Sequence, residues 1–99
     1  MTVYTIAQLK FTDIEAYRRY QSRFPAVFAQ FNAKVLVADE SPVVVEGDWP
    51  RDKVVILQFP DEAEAKRFRS SPDYLEIAKD RKAGTEAVVL MVKGFEPKR

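Results

Sequence analysis

Lys53-Val54-Val55-Ile56-Leu57-Gln58-Phe59 reads as a β-strand with no wet side. It is rich in β-branched residues and bounded by Pro50 and Pro60, as a well-delimited strand should be. A sheet with helices on one face and water on the other alternates apolar and polar residues. Val54 to Leu57 does not alternate, and Ala87-Val88-Val89-Leu90-Met91-Val92 repeats the pattern further along. Both faces of the sheet therefore need a cover.

On the N-terminal side, a first strand is expected from Val3 to Leu9, with Val3, Thr5, Ala7 and Leu9 on one face and Tyr4, Ile6 and Gln8 on the other. Thr12-Asp13-Ile14-Glu15 fits a capping box. Tyr17, Tyr20, Phe24, Val27, Phe28 and Phe31 then recur at three- and four-residue intervals, the stripe of a buried helical face. Pro25 removes one donor from that helix and predicts a kink or a second segment there. Lys34 to Ala38 reads as a second strand, with Val43 to Glu46 extending it or forming a short one beyond Pro42. After Phe59, Asp61 caps a helix opened by Glu62-Ala63-Glu64. Ser71-Pro72 starts another by the serine-cap, proline-first rule, with Tyr74, Ala78 and Arg81 along one side and Gly84 at its end. The last strand is expected from Glu86 to Val92, followed by a polar tail.

The order β-α-β-β-α-β predicts an α+β domain with the ferredoxin-like split βαβ arrangement: a four-stranded antiparallel sheet with both helices on one face. No element remains to cover the other face. A second copy, its sheet packed against the first, supplies the missing layer.

Composition narrows the chemistry. At 99 residues the chain is expected to form one domain, residues 1–99, small enough to bury only about two-thirds of its unfolded surface. With no cysteine, disulfides and thiolate metal sites are excluded, which leaves oligomerisation as the usual reinforcement. Sixteen Lys and Arg against fifteen Asp and Glu give a net charge of +1 with signs interspersed, unlike the basic face of a nucleic-acid binder. No signal peptide or membrane-length apolar run is visible, so a soluble cytoplasmic protein is expected. The absence of histidine excludes His-dependent triads, a haem proximal histidine and the common zinc ligand sets. Any general acid or base must be a shifted Glu, Asp, Lys or Tyr, or belong to the substrate.

Glu46-Gly47-Asp48-Trp49, then Gln58-Phe59-Pro60, then Ser71-Pro72-Asp73-Tyr74, then Arg81 occur in an order that resembles the domain-of-unknown-function 1330 family. The resemblance runs from Tyr4 to Gly94. It implies the dimeric α/β-barrel superfamily, whose members pair two ferredoxin-like units through their sheets and include cofactor-independent monooxygenases, haem-degrading enzymes, lactone isomerases and ligand-sensing modules. Fold is implied more strongly than activity. The chain departs from the family pattern at Phe31-Asn32-Ala33 and Asp39-Glu40, where relatives often carry His-Gly-Gly and Gly-Gly, and at Phe68-Arg69, where an aromatic pair is usual. A site that depends on that histidine or on those close backbone approaches would be altered.

Five residues stand out as site candidates. Trp49 either walls a pocket between helices and sheet or anchors the dimer interface. Glu46, before a glycine able to turn sharply, is either a general base raised by an apolar cavity or the partner of Arg81 or Arg51 in a salt bridge. Tyr74 and Arg81, two helical turns apart, either hold a carboxylate or phenolate together or leave Arg81 to order the Glu46 loop. Tyr17 is a further substrate-binding candidate, although it and Tyr20 also read as core residues with satisfied hydroxyls. Two functions follow: a cofactor-free enzyme acting on a small aromatic or carboxylated metabolite, or a non-catalytic homodimer that binds a small ligand or mediates an interaction.

Overall fold

The computed structural model describes residues 1–95; from residue 96 on, the expected polar tail lies outside the described residues. The elements are β1 (Val3–Phe11), α1 (Ile14–Phe28), β2 (Lys34–Asp39), β3 (Lys53–Phe59), α2 (Glu62–Arg69), α3 (Pro72–Gly84) and β4 (Thr85–Lys93). The order is β-α-β-β-α-β with the second helical region in two pieces. Pro72 lacks the N–H that would continue α2, and Ser71 restarts the helix by accepting a 3.2 Å hydrogen bond from the Tyr74 N–H.

The four strands lie in the order β2-β3-β1-β4, and every neighbouring pair is antiparallel. Both β1 and β2 oppose β3, so they run parallel with β3 between them: the split βαβ of a ferredoxin-like fold. Strand periodicity sends Val3, Thr5, Ala7 and Leu9 toward the helices, with Lys53, Val55, Leu57 and Phe59 paired beside them. Phe59 is fully buried there, and burying such a ring contributes about 1.5–3 kcal/mol. Ile6, Ile56, Val88, Leu90 and Val92 point to the opposite face. No described element covers that face, and Leu90 remains 46% exposed.

The core on the helix side forms two clusters. One gathers Val3, Phe28, Phe59 and Phe68, the other Leu9, Tyr17, Tyr20, Val27 and Ile77. Phe24, Phe31, Val55 and Tyr74 pack against both. Helix α1 continues through Pro25, so no second segment begins there. The aromatic stripe spans the proline, with Tyr20–Phe24 centroids 5.7 Å apart and Phe24–Phe28 4.9 Å apart, and this packing offsets the one lost backbone bond.

Three further local expectations change. The cap of α1 is Asp13, not Thr12: its carboxylate accepts from the Ala16 N–H at 3.3 Å. Val43 to Glu46 forms no strand. The last β2–β3 pair is Asp39 with Val54, so residues beyond Asp39 have no ladder to join, and Val43 and Val45 are 84% and 93% exposed. Gly84 does end α3, but without a left-handed turn. A Cβ there would lie 2.5 Å from the Asp13 carbonyl oxygen and 2.7 Å from the Tyr17 nitrogen, so only glycine lets α3 meet the start of α1 this closely.

Candidate functional site

Between the helices and the sheet lies a cavity of about 390 Å³, within the size range of small-molecule sites. Thr5, Ala7, Leu9, Val55 and Leu57 form its floor. Helical spacing brings Tyr17, Tyr20 and Phe24 of α1 and Tyr74, Ala78 and Arg81 of α3 to its walls. The lining is mostly apolar.

Its charged side chains are Lys53, Arg69, Arg81 and Lys82, with no carboxylate among them. Lys53, only 4% exposed at its side chain, sends its ammonium 3.2 Å from Glu40 Oε2 and 4.9 Å above the Tyr17 ring. Arg18 grips the same carboxylate as a fork, at 2.6 and 2.7 Å. The Arg18 hydrogen bonds, with those of Lys53, hold the Glu40 carboxyl down to about 2 against a partial burial that opposes them. The charge of Lys53 is thus answered outside the cavity lining.

Arg81 has no such answer. Among the described residues its guanidinium makes no hydrogen bond or ion pair, and its Nε is buried without a partner. Its main-chain carbonyl accepts from the Thr85 hydroxyl at 2.7 Å. Nearby, the hydroxyls of Tyr20 and Tyr74 lie 3.4 Å apart. Burial, reinforced by Tyr74, pushes the Tyr20 phenol well above its usual range, while Arg81 pulls it the other way.

Tyr17, Tyr74 and Arg81 therefore meet at one cavity, but Glu46 and Trp49 do not join them. Glu46 is exposed beside Gly47, whose φ of 86° makes the turn, and it pairs with neither Arg81 nor Arg51. Glu46 does not line the cavity; its turn lies in the loop between β2 and β3. Trp49 donates its indole N–H to Gln8 Oε1 at 3.0 Å. Gln8 alternates with Leu9, so it faces away from the helices and the sheet stands between Trp49 and the cavity. Trp49 does not line this cavity.

Sequence reasoning assigned Tyr20 to the core and passed over Lys53 and Glu40. The spacing of Tyr20 from Tyr17 and Phe24 carried a signal, as did the position of Lys53 in register with Val55 and Leu57. Nothing local pointed to Glu40. Among the described residues no group of three or more His, Cys, Asp or Glu side chains is placed to hold a metal ion, and no helix is long and apolar enough to cross a membrane.

The family described as Domain of unknown function (DUF1330) matches residues 2–95, and the chain belongs to it. Its fold is similar to that of a protein of unknown function from Rhodopseudomonas palustris, at a TM-score of 0.81 and 20% identity over 97% of this chain and 84% of that one. It is also similar to SnoaB, a cofactor-independent oxygenase from Streptomyces nogalater, at a TM-score of 0.70 and 15% identity over 97% of this chain and 95% of that one. A third likeness is to a dimeric protein of unknown function with a ferredoxin-like fold from Bacteroides fragilis, at 0.66 and 12% over 94% of this chain and 96% of that one. At these identities the likeness is one of fold. No curated protein matches the chain in sequence.

Proposed function

We propose that the protein binds a small aromatic or carboxylated metabolite as an anion in the cavity between α1, α3 and the sheet. The carrying observation is the Arg81 guanidinium, without a protein partner in a cavity lined by cations and apolar groups and by no carboxylate. An unpaired guanidinium whose Nε is buried is free to take an anionic ligand as its counter-charge. The lining rings of Tyr17, Tyr20, Phe24 and Tyr74 suit a flat apolar body.

The same cavity supports a second reading, a cofactor-independent enzyme acting on that metabolite. The likeness to SnoaB, itself such an oxygenase, favours it. With Glu46 outside the cavity, protons would pass through Tyr17, Tyr20, Tyr74 or Lys53, or through the ligand itself.

The working unit in this proposal is a homodimer joined through the bare sheet faces. Ile6, Ile56, Val88, Leu90 and Val92 supply a continuous apolar surface, and similar folds include a dimeric protein. Leu90→Arg should then give a folded monomer by light scattering; an unchanged dimer would exclude this face. For the ligand, calorimetric titration with 1-naphthoate should detect binding that Arg81→Met weakens at least about tenfold, the scale of one charge-assisted contact. Equal binding by both proteins would refute the anion site.

A further inference from the structure

We propose that Tyr20, Tyr74 and Arg81 form an oxyanion clamp that selects the ionised oxygen of a weakly acidic phenol or enol. This rests on the ligand-binding reading above and narrows its substrate class.

The two hydroxyls carry two protons between them. One bridges the 3.4 Å gap, and neither hydroxyl has another partner among the described residues. One O–H therefore remains unspent beside the cavity that both tyrosines line. Tyr20 is only 8% exposed, and its environment keeps it protonated at neutral pH, so it remains a donor. Arg81 lines the same cavity as Tyr20 and Tyr74, so an oxygen held by the pair also feels its charge.

This donor set decides the kind of anion. A buried carboxylate has two oxygens with roughly four acceptor positions to fill. The Arg81 fork alone would suit a carboxylate, but the tyrosine pair offers one free O–H, which serves a single oxygen. The ring of Phe24 lies 5.7 Å from Tyr20, and that of Phe68 lies 4.4 Å from Tyr74, so the oxygen sits against aromatic surface. A phenolate or enolate, with one charged oxygen on a flat delocalised body, matches both features.

The ionisable groups that line the cavity beside the clamp come from four elements. Tyr17 comes from α1, Lys53 from β3, Arg69 from α2, and Lys82 joins Arg81 on α3. All of the charged ones are cationic, and none opposes the binding of an anion.

The test uses the full-length protein with 4-nitrophenol, whose ionisation is read from its absorbance, and 4-nitrobenzoate as a ring-matched carboxylate. Bound 4-nitrophenol should ionise about one pH unit lower than in water, equivalent to about tenfold tighter binding of the phenolate than of the phenol. Tyr20→Phe and Tyr74→Phe, which keep the rings, should abolish most of that shift while changing 4-nitrobenzoate affinity less than about threefold. If both probes bind but neither tyrosine variant alters the ionisation, the clamp is wrong and the anion site survives. An upward shift on binding also overturns the clamp. If neither probe binds, the ligand-binding reading itself fails. Circular dichroism of each variant establishes that it is folded before titration.

Discussion

The indole N–H of Trp49 meets Gln8 Oε1 at 3.0 Å on the side of the sheet away from the helices. The only tryptophan in the chain thereby lies where it can report on the open face. Its emission should shift as the protein is diluted and paired sheets separate. Leu90→Arg should show the diluted spectrum at every concentration. Trp49→Ala should raise the dimer dissociation constant at least about tenfold, as expected for a large aromatic at an interface. Sedimentation equilibrium reads this directly, and an unchanged constant would remove Trp49 from the interface.

Arg81 makes an unusual stability prediction. A guanidinium that locks a loop through an ion pair would cost stability when replaced. With no partner to lose, Arg81→Met keeps the aliphatic stem and removes an uncompensated charge. Scanning calorimetry without ligand should show stability unchanged or raised by up to about 1 kcal/mol. A loss above about 2 kcal/mol would reveal a structural role.

The Glu40 carboxyl, held down to about 2 from its ordinary 4.5, links stability to acid. A carboxylate depressed in the fold stabilises it above the unfolded value, and that contribution is lost as pH falls through the folded one. The wild type should therefore lose it progressively between about 4.5 and 2. Glu64 is also lowered, chiefly by Arg67, so the informative quantity is the difference from Glu40→Gln. At neutral pH that variant should cost about 1–3 kcal/mol, because Lys53 loses its counter-charge while buried. Urea titrations at a series of pH values give both results, and parallel profiles for the two proteins would contradict the linkage.

Two glycines should respond to alanine for different reasons. At Gly84 a methyl group strikes the backbone of Asp13 and Tyr17, so Gly84→Ala should cost about 1–3 kcal/mol despite a better helix former. At Gly47 the space is empty but φ is 86°, so Gly47→Ala should cost about 1 kcal/mol from backbone strain alone. Denaturation midpoints rank the two, and the opposite ranking would show that the α1–α3 junction yields.

Most of the fold was legible because it rests on local periodicity. The unbroken apolar run at Val54 to Leu57 and the Asp61 and Ser71 caps lie within a few residues of what they specify. The site was less legible because its parts meet only through topology. Tyr74 and Arg81 share a helix face and could be paired from their spacing. Tyr20 joins them only once α1 and α3 are side by side, and Glu40 reaches Lys53 only through the β2–β3 pairing. Glu46 and Trp49 lie apart from this cavity for the converse reason: closeness in sequence to a suggestive glycine does not say which side of a sheet a loop will reach.

The bare face of the sheet bears on how this protein can be weighed at all. With the sheet faces paired as proposed, association adds to the stability of the folded chain by mass action. Its melting point then belongs to a concentration rather than to the molecule, rising with each increment of protein and falling with dilution. Expression level would set stability in the cell, and a scarce copy would be a fragile one.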